Sequence, residues 1–279
     1  MYNEKLIAGA NEWFCESEPL TGRKMENDNR LNHKEDWDFY MSKVDGAIGS
    51  FFVDLGLITI APVAERPNLV WVSINMRNPM ENGLSSNEES ELLYEIEDNI
   101  VNNIASRHDA VFVGRLTTAG MRQLFFYFGD TSGHEETITQ SMSKYPEYEF
   151  EFGGKEDKEW NCYLGFIYPS PTQYQMIMNS RVIRNLEQNG DDLTKERMVD
   201  HWIYFESEDD MKNYILEIEA QGFTVIDSHQ NEEKLYVLNV GRVDKVDFQS
   251  VNEYTLYLWE LAGNHNGDYD GWGCPVEKG

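Results

Sequence analysis

In the second half of the chain, hydrophobic positions switch between a two-residue and a 3.6-residue period in a regular order. From residue 200 onward this pattern predicts strand, helix, strand, strand, helix, strand, after a helix over about 172–189. The predicted elements are Asp200–Phe205, Glu208–Gln221, Phe223–Ser228, Lys234–Val240, Val246–Ala262 and a final strand around Tyr269. Gly190 and Gly222 directly follow predicted helix ends, where a left-handed cap favours glycine.

The first half has one strongly periodic segment. Residues Glu88–Arg107 place leucine, isoleucine and valine at helical spacing, with acidic residues in the first turns. Pro146 bounds a shorter predicted helix, Gly133–Tyr145. Strands are predicted at Trp37–Ser42, Ile48–Asp54, Leu69–Met76, Ala110–Leu116, Met121–Phe128, Tyr148–Phe152 and Trp160–Tyr168.

These patterns predict an α+β protein of two tandem ferredoxin-like (βαββαβ) modules, each an antiparallel sheet with helices on one face. Residues Leu69–Phe152 can be written in the same order as the second half. A length of 279 residues also exceeds the usual size of one domain. Pro169 and Pro171 interrupt the pattern, so we expect domains at residues 1–170 and 171–279.

The most unusual feature of the composition is its acidity, with a formal net charge of −27 at pH 7. Residues 1–170 carry 29 acidic and 14 basic side chains, and residues 171–279 carry 21 and 9. Because such a surface repels phosphate backbones, direct nucleic-acid binding is not expected. A protein partner with a basic surface is compatible, and so is a charge that serves solubility alone.

Cysteine usage and the N-terminal sequence both indicate the cytoplasm. Cys15, Cys162 and Cys274 are odd in number and far apart, which favours reduced thiols over disulfides or a cysteine zinc site. The N-terminus lacks the order of a signal peptide, and the most apolar stretch, Ala47–Ala64, is interrupted by polar residues. We therefore expect no membrane association.

Three glycines, two carboxylates and two aromatics fall within Gly267–Cys274, which indicates an ordered segment. One interpretation is a calcium loop, because several residues fall on EF-hand positions. Those residues are Asn266, Asp268, Asp270, Gly271 and Glu277. The other is a structural strand, which is favoured because Asn266 replaces the first aspartate and no exiting helix can follow.

Catalytic signals are weak throughout. His265 lies near Asp268 and Asp270 along the chain, and His201 opens a strand of the same module, so a general base can be imagined. The sequence contains no metalloprotease, P-loop, nucleophile-elbow or dinucleotide-binding motif. We therefore predict a protein without catalytic residues or a cofactor.

Arg115 and Arg122 form a candidate anion site. A hairpin with Thr118 and Ala119 at its tip would make the two arginines direct cross-strand neighbours. Like charges in that position need a shared anion. That anion is either an aspartate or glutamate of this chain or a bound ligand.

The segment Trp202–Phe205 carries aromatics on both faces of one predicted strand, because neighbouring residues alternate. One face must pack on the helices. The other would lie on the open face of the sheet, as ordinary surface or as a protein-binding site. The candidate partner-binding residues are Trp202, Tyr204, Asp268, Tyr269, Asp270 and Trp272.

Two family resemblances follow from short motifs. Residues 179–276 resemble the regulator of ribonuclease E activity B family (RraB). The motifs are Asn189-Gly190-Asp191-Asp192-Leu193 with Arg197, His201–Phe205, Gly222-Phe223 and Gly267–Trp272. The resemblance implies a non-catalytic, acidic, ferredoxin-like protein that binds ribonuclease E and inhibits RNA turnover.

Residues 35–168 are similar to the family called domain of unknown function 695, which implies no activity. The similarity is carried by Trp37, Tyr40, Val44-Asp45-Gly46, Gly83-Leu84, Glu88, Leu92, Val113-Gly114-Arg115, Thr117-Thr118, Arg122 and Tyr127.

Together these observations predict a non-enzymatic acidic regulator that binds and inhibits a protein, with a ribonuclease or RNA-processing factor as the expected partner. Two alternatives remain. One is a protein that binds a small anion or metal, and the other is an inhibitor of a basic toxin.

Overall fold

The computed structural model describes residues 31–278, and over this range the chain is an α+β protein with two antiparallel sheets. These residues contain ten strands, five α-helices, a 3₁₀ helix at Leu55–Thr59 and a π-helical turn at Tyr163–Ile167. They form two compact units, residues 31–170 and 171–278. Residues 1–30 of the first predicted domain, with Cys15, and Gly279 of the second lie outside the described range.

The first unit contains a six-stranded sheet with the strand order β1-β2-β4-β5-β3-β6. The strands are β1 (Trp37–Val44), β2 (Ala47–Asp54), β3 (Asn68–Asn75), β4 (Ala110–Thr118), β5 (Met121–Phe128) and β6 (Phe150–Glu156). Helices α1 (Asn87–Arg107) and α2 (His134–Met142) pack on one face, over a core that includes Val72, Ile96 and Phe126.

Residues 157–168 cover the other face of this sheet, although the sequence predicts helices on one face only. The ring of Tyr127 stacks on Trp160 with 4.1 Å between centroids. The Tyr163 hydroxyl donates a hydrogen bond to the carbonyl of Asp54 at 2.7 Å. Residues 157–168 therefore bury part of the second face of the first sheet.

The predicted strand Trp160–Tyr168 is wrong, because this segment is helical. The Asp157 carboxylate accepts hydrogen bonds from the backbone N–H groups of Asn161 at 3.0 Å and Cys162 at 2.9 Å. It thus caps the turn that Tyr163–Ile167 continues. The pattern of a short aromatic run is compatible with a buried strand and with a buried helix. The hydrogen bonds from Asn161 and Cys162 to Asp157 favour the helix.

The predicted register of the β4–β5 hairpin is also wrong. Ala119 and Gly120 form the two-residue turn, with φ of 48° and 79°, and Thr118 pairs with Met121. Arg115 therefore lies opposite Leu124, and Arg122 lies opposite Thr117. The two arginines are diagonal neighbours on one face of the sheet.

The second unit contains a four-stranded antiparallel sheet with the order β10-β7-β9-β8. The strands are β7 (Arg197–Phe205), β8 (Thr224–Gln230), β9 (Tyr236–Asp244) and β10 (Gly267–Gly273). Helices α3 (Pro171–Gln188), α4 (Glu208–Glu219) and α5 (Phe248–Asn264) contribute to one core with the sheet. Gly190 and Gly222 have φ of 77° and 83°, so the predicted left-handed caps are confirmed.

Both sheets contain the same arrangement of strands. In the first unit, the order β3-α1-β4-β5-α2-β6 gives the neighbours β4-β5-β3-β6. In the second, the order β7-α4-β8-β9-α5-β10 gives β8-β9-β7-β10. The hairpin β1–β2 extends the first sheet beyond β4.

Candidate functional site

Strand β7 separates the core of the second unit from the opposite, open face of its sheet. Val199, Ile203 and Phe205 point into the core beneath the helices, as does His201. The alternate residues of β7 lie on the open face and are half-buried or exposed. They are Met198, Asp200, Trp202 and Tyr204. No helix formed by the described residues 171–278 covers that face, because α3, α4 and α5 share the core on the other side.

On the open face Asp200 lies between two glycines, and we call this part of the surface, defined by Asp200, Gly241 and Gly273, the dip. The two glycines are the neighbours of Asp200 across the sheet, Gly241 on β9 and Gly273 on β10. A methyl group on Gly241 would lie 2.7 Å from Ile226 Cδ1, 2.8 Å from Met198 Sδ and 3.2 Å from Asp200 Oδ1. These three side chains thus converge over the glycine.

The ring of Trp202 leans over the second glycine. A methyl group on Gly273 would lie 3.6 Å from the Trp202 ring. Along β7, Trp202 and Met198 therefore border Asp200 on its two sides. Met198, Ile226 and Val243 are 44%, 50% and 56% exposed, so the dip opens onto an apolar border.

Two of the predicted partner-binding aromatics face the core instead. The Tyr269 hydroxyl lies 2.8 Å from His201 Nδ1, and Trp272 Nε1 donates a hydrogen bond to Asn179 Oδ1 at 3.1 Å. Both side chains are buried. Asp268 and Asp270 are exposed, and Asp268 lies opposite Tyr204 on the neighbouring strand.

The calcium-loop interpretation does not fit the structure. Residues 267–273 form strand β10, which spreads the proposed ligands over more than about 10 Å, whereas calcium needs them about 2.3–2.6 Å from one point. Glu277 is held apart by its backbone N–H, which donates to Asp191 Oδ2 at 2.7 Å. Among residues 31–278, no group of three or more histidine, cysteine, aspartate or glutamate side chains could hold a metal ion.

The two histidines considered as a general base, His201 and His265, each have another partner in the structure. His201 is fully buried among Phe223, Tyr254 and Tyr269. His265 instead lies 2.9 Å from Glu217 at the surface. Burial, with a smaller effect of Arg242, lowers the pKa of His201 to about 3. A histidine that stays neutral in a core serves packing rather than proton transfer.

His201 is expected to make the second unit acid-sensitive. Its unfolded pKa of about 6.5 lies above the folded value, so the unfolded state takes up the proton first as the pH falls. The stability from neutral His201 is complete above about pH 6.5 and falls by about 1.4 kcal/mol per unit toward pH 3.

Urea unfolding of the full chain between about pH 7 and 5 measures this effect, with an expected loss of about 2 kcal/mol. His201→Phe should flatten the pH dependence. His229→Phe is the matched control, because His229 is exposed and should leave the dependence unchanged. An unchanged slope in His201→Phe would assign the acid sensitivity to other groups.

In the first unit, Arg115 and Arg122 share the carboxylate of Glu97. Arg115 Nη1 donates to Glu97 Oε1 at 2.8 Å, and Arg122 Nη1 donates to Oε2 at 3.3 Å. The guanidinium groups lie 4.7 and 4.6 Å from the centre of the Tyr94 ring. Burial and the nearby Arg115 lower the pKa of Arg122. An acid of this chain thus occupies the position proposed for a ligand.

The described cysteines show no activation. Burial raises the pKa of Cys162 to about 11, and it also raises that of Cys274. Because the thiolate is the reactive form, the raised pKa makes both thiols less reactive at neutral pH. Both are free.

Sequence reasoning identified Trp202 and Tyr204 on the open face but missed Asp200. The only signal in the sequence is its place between two residues of one face, Met198 and Trp202. The two glycines beside it come from distant strands, so local pattern could not reveal the dip.

Comparisons with known proteins divide the chain at the same place as the two resemblances. Residues 35–168 match the model of a family described as "Family of unknown function (DUF695)". Residues 176–274 match the model of "Regulator of ribonuclease activity B" (RraB). Both resemblances are confirmed. No curated protein matches the chain.

The solved structures that match include a crystal structure of an unknown protein from Galdieria sulphuraria. It is 9% identical, and the match covers 75% of this chain and 99% of that one with a TM-score of 0.21. Separately, none of the helices within residues 31–278 is long and apolar enough to cross a membrane.

Proposed function

We propose that this chain, whose residues 176–274 match the family of regulators of ribonuclease activity B, regulates a ribonuclease by binding it. The regulator acts by occlusion and has no catalytic residues of its own. The proposal is supported by the buried, neutral state of His201 and by the raised thiol pKa values of the described cysteines. It places the protein in the cytoplasm, where such a partner acts.

Each unit is then a ferredoxin-like module, and the chain is a tandem of two. The shared element order and the shared strand order of the two sheets support this interpretation. The domains are residues 1–170 and 171–279, with the binding function in the second. The first module carries an added hairpin and a second covered face.

The open face of the second sheet is the observation that carries the proposal. Trp202 and Tyr204 lie half-buried there, beside the exposed carboxylate of Asp268. Aromatic side chains supply large contact areas at little entropic cost and are enriched among residues that dominate binding. The candidate surface is therefore Trp202, Tyr204, Asp268 and Asp270, without Tyr269 and Trp272.

The charge of the chain defines the kind of partner. Residues 171–279 carry 21 acidic and 9 basic side chains, so a basic protein surface is attracted over long range. The alternative of a protein that binds a small anion is less favoured, because the Glu97 carboxylate already pairs with Arg115 and Arg122. No feature of the described residues favours a toxin partner over a ribonuclease.

The experiment combines affinity capture with an activity assay. The full chain should retain an endoribonuclease of its own cell, and the purified enzyme should cleave a labelled RNA more slowly when the chain is added. Raising salt from about 0.05 M to 0.5 M should weaken the complex about tenfold or more, because charges at the rim are screened.

Serum albumin in place of the chain controls for nonspecific inhibition. A complex that keeps its affinity in high salt would contradict the electrostatic part of the proposal. Unchanged cleavage by every endoribonuclease of the cell would contradict the regulatory function itself.

A further inference from the structure

We infer that the dip around Asp200 is a binding site for an arginine side chain carried by a protein segment. The inference deepens the proposed function and rests on it for the identity of the partner protein. The site consists of the Asp200 carboxylate, the ring of Trp202 and the apolar border formed by Met198, Ile226 and Val243.

The first argument is an unsatisfied carboxylate. Asp200 Oδ1 is shielded from solvent and, within residues 31–278, has no hydrogen-bond partner. The described residues also provide no ion pair to Asp200. A carboxylate oxygen that is removed from water and left unpaired is unfavourable, and a cationic donor from outside relieves that cost.

The second argument is the pair of glycines beside Asp200. Gly241 and Gly273 flank Asp200 on the two neighbouring strands, so no side chain from either position rises beside the carboxylate. Met198 and Ile226 converge over Gly241, and Trp202 lies over Gly273. Methionine is a flexible side chain and the indole ring of tryptophan is flat, so Met198 can move aside and Trp202 can stack as a ligand enters.

The chemistry of the border selects arginine over other cations. A planar guanidinium stacks on an aromatic ring and is more weakly hydrated than an ammonium, so it tolerates an apolar border. It also donates two parallel hydrogen bonds to one carboxylate. Trp202 and Asp200 are adjacent outward-facing residues of β7, which places ring and carboxylate side by side.

The acidic surroundings favour a segment rich in such residues. Asp268 lies opposite Tyr204, one step further along the same face, and Asp270 follows on β10. Strand β8 is exposed along its whole length and forms one edge of the sheet. The occupant is therefore an arginine-bearing segment of the partner protein that lies across the open face.

The test uses a labelled peptide of alternating arginine and leucine, bound to the full chain and followed by fluorescence anisotropy. The matched peptide carries citrulline, which keeps the shape of arginine but not its charge. We expect the citrulline peptide and the Asp200→Asn variant each to reduce affinity about tenfold or more.

Glu219→Gln is the control for net charge. It removes one carboxylate at the exposed end of α4, on the helix side of the sheet, and should leave affinity unchanged. Asp200→Asn should also keep or raise the thermal midpoint of the free protein, because it removes an unpaired charge. A variant that simply fails to fold would do the opposite.

The outcomes separate this site from the proposed function. If Asp200→Asn binds both peptides as the native chain does, or if arginine and citrulline bind equally, the inference is wrong. If Asp200→Asn still inhibits the ribonuclease fully, the result supports the proposed regulation and contradicts the arginine site. If the chain binds the arginine peptide more tightly than the citrulline peptide but inhibits no ribonuclease, the result supports the arginine site and contradicts the proposed function.

Discussion

Glu97→Ala is expected to lower the free energy of unfolding of the first unit by about 3–5 kcal/mol. Its carboxylate neutralises two guanidinium groups, and the side chains of Glu97 and Arg122 are only 3% and 2% exposed. Without it, Arg115 and Arg122 would lie close to the Tyr94 ring without the carboxylate that pairs with both. Hydrogen exchange over residues 110–128 of the full chain measures the loss.

The matched variant Arg122→Met should cost less than about 2 kcal/mol, because Glu97 keeps its bond to Arg115. Added phosphate should raise the thermal midpoint of Glu97→Ala and leave the native chain unaffected. Equal losses in the two variants would show that the carboxylate is not what holds this cluster. Stabilisation of the native chain by phosphate would restore the ligand interpretation of Arg115 and Arg122.

Arg197→Met is the second change with a large expected effect, again about 3–5 kcal/mol. Arg197 Nη1 lies 2.5 Å from Asp191 Oδ2, and both side chains are almost completely buried. The same guanidinium donates to the carbonyls of Asp192 at 2.6 Å and Pro275 at 3.2 Å. It therefore ties the start of β7 to the segment that follows β10.

Losing Arg197 leaves the buried Asp191 carboxylate without its counter-ion. Hydrogen exchange over residues 197–205 and 267–273 of the full chain should report the loss, with residues 110–128 unaffected. Lys212→Met is the control, since it breaks an exposed pair with Glu208 that is worth less than about 1 kcal/mol. Equal costs for Arg197 and Lys212 would contradict the assignment.

Much of the secondary structure was predictable because it depends on local periodicity. Helix α1 was expected at Glu88–Arg107 and is found at Asn87–Arg107. The order β-α-β-β-α-β of the second unit was read from the same alternation of periods and is observed. An apolar stripe identifies the face an element buries, whatever it packs against.

The β4–β5 register was not predictable from composition. The turn Ala119-Gly120 has both residues at positive φ, although the sequence lacks the asparagine-glycine pair that usually marks it. A shift of one residue changes which side chains are opposite each other. The convergence of Arg115 and Arg122 on Glu97 depends on that shift and on the placement of α1, so only the folded chain defines it.

In strand β10, the sequence predicts an ordered segment, but the direction of its aromatic side chains depends on the tertiary structure. By itself the sequence indicated that Gly267–Gly273 is an ordered segment, and it offered Tyr269 and Trp272 as partner-binding residues. A regular strand would send these two residues to opposite faces, since their spacing is odd. The tertiary structure inserts a bulge between Tyr269 and Gly271 in the pairing with β7, and both aromatics enter the core.

The same pairing decides the open face. It sets Gly273 beside Asp200, while β9 brings Gly241 to the other side. Alternation along β7 determines that Asp200 and Trp202 point outward. The packing of the whole core determines which strands pair. The two glycines beside the Asp200 carboxylate therefore depend on contacts between strands that are far apart in sequence.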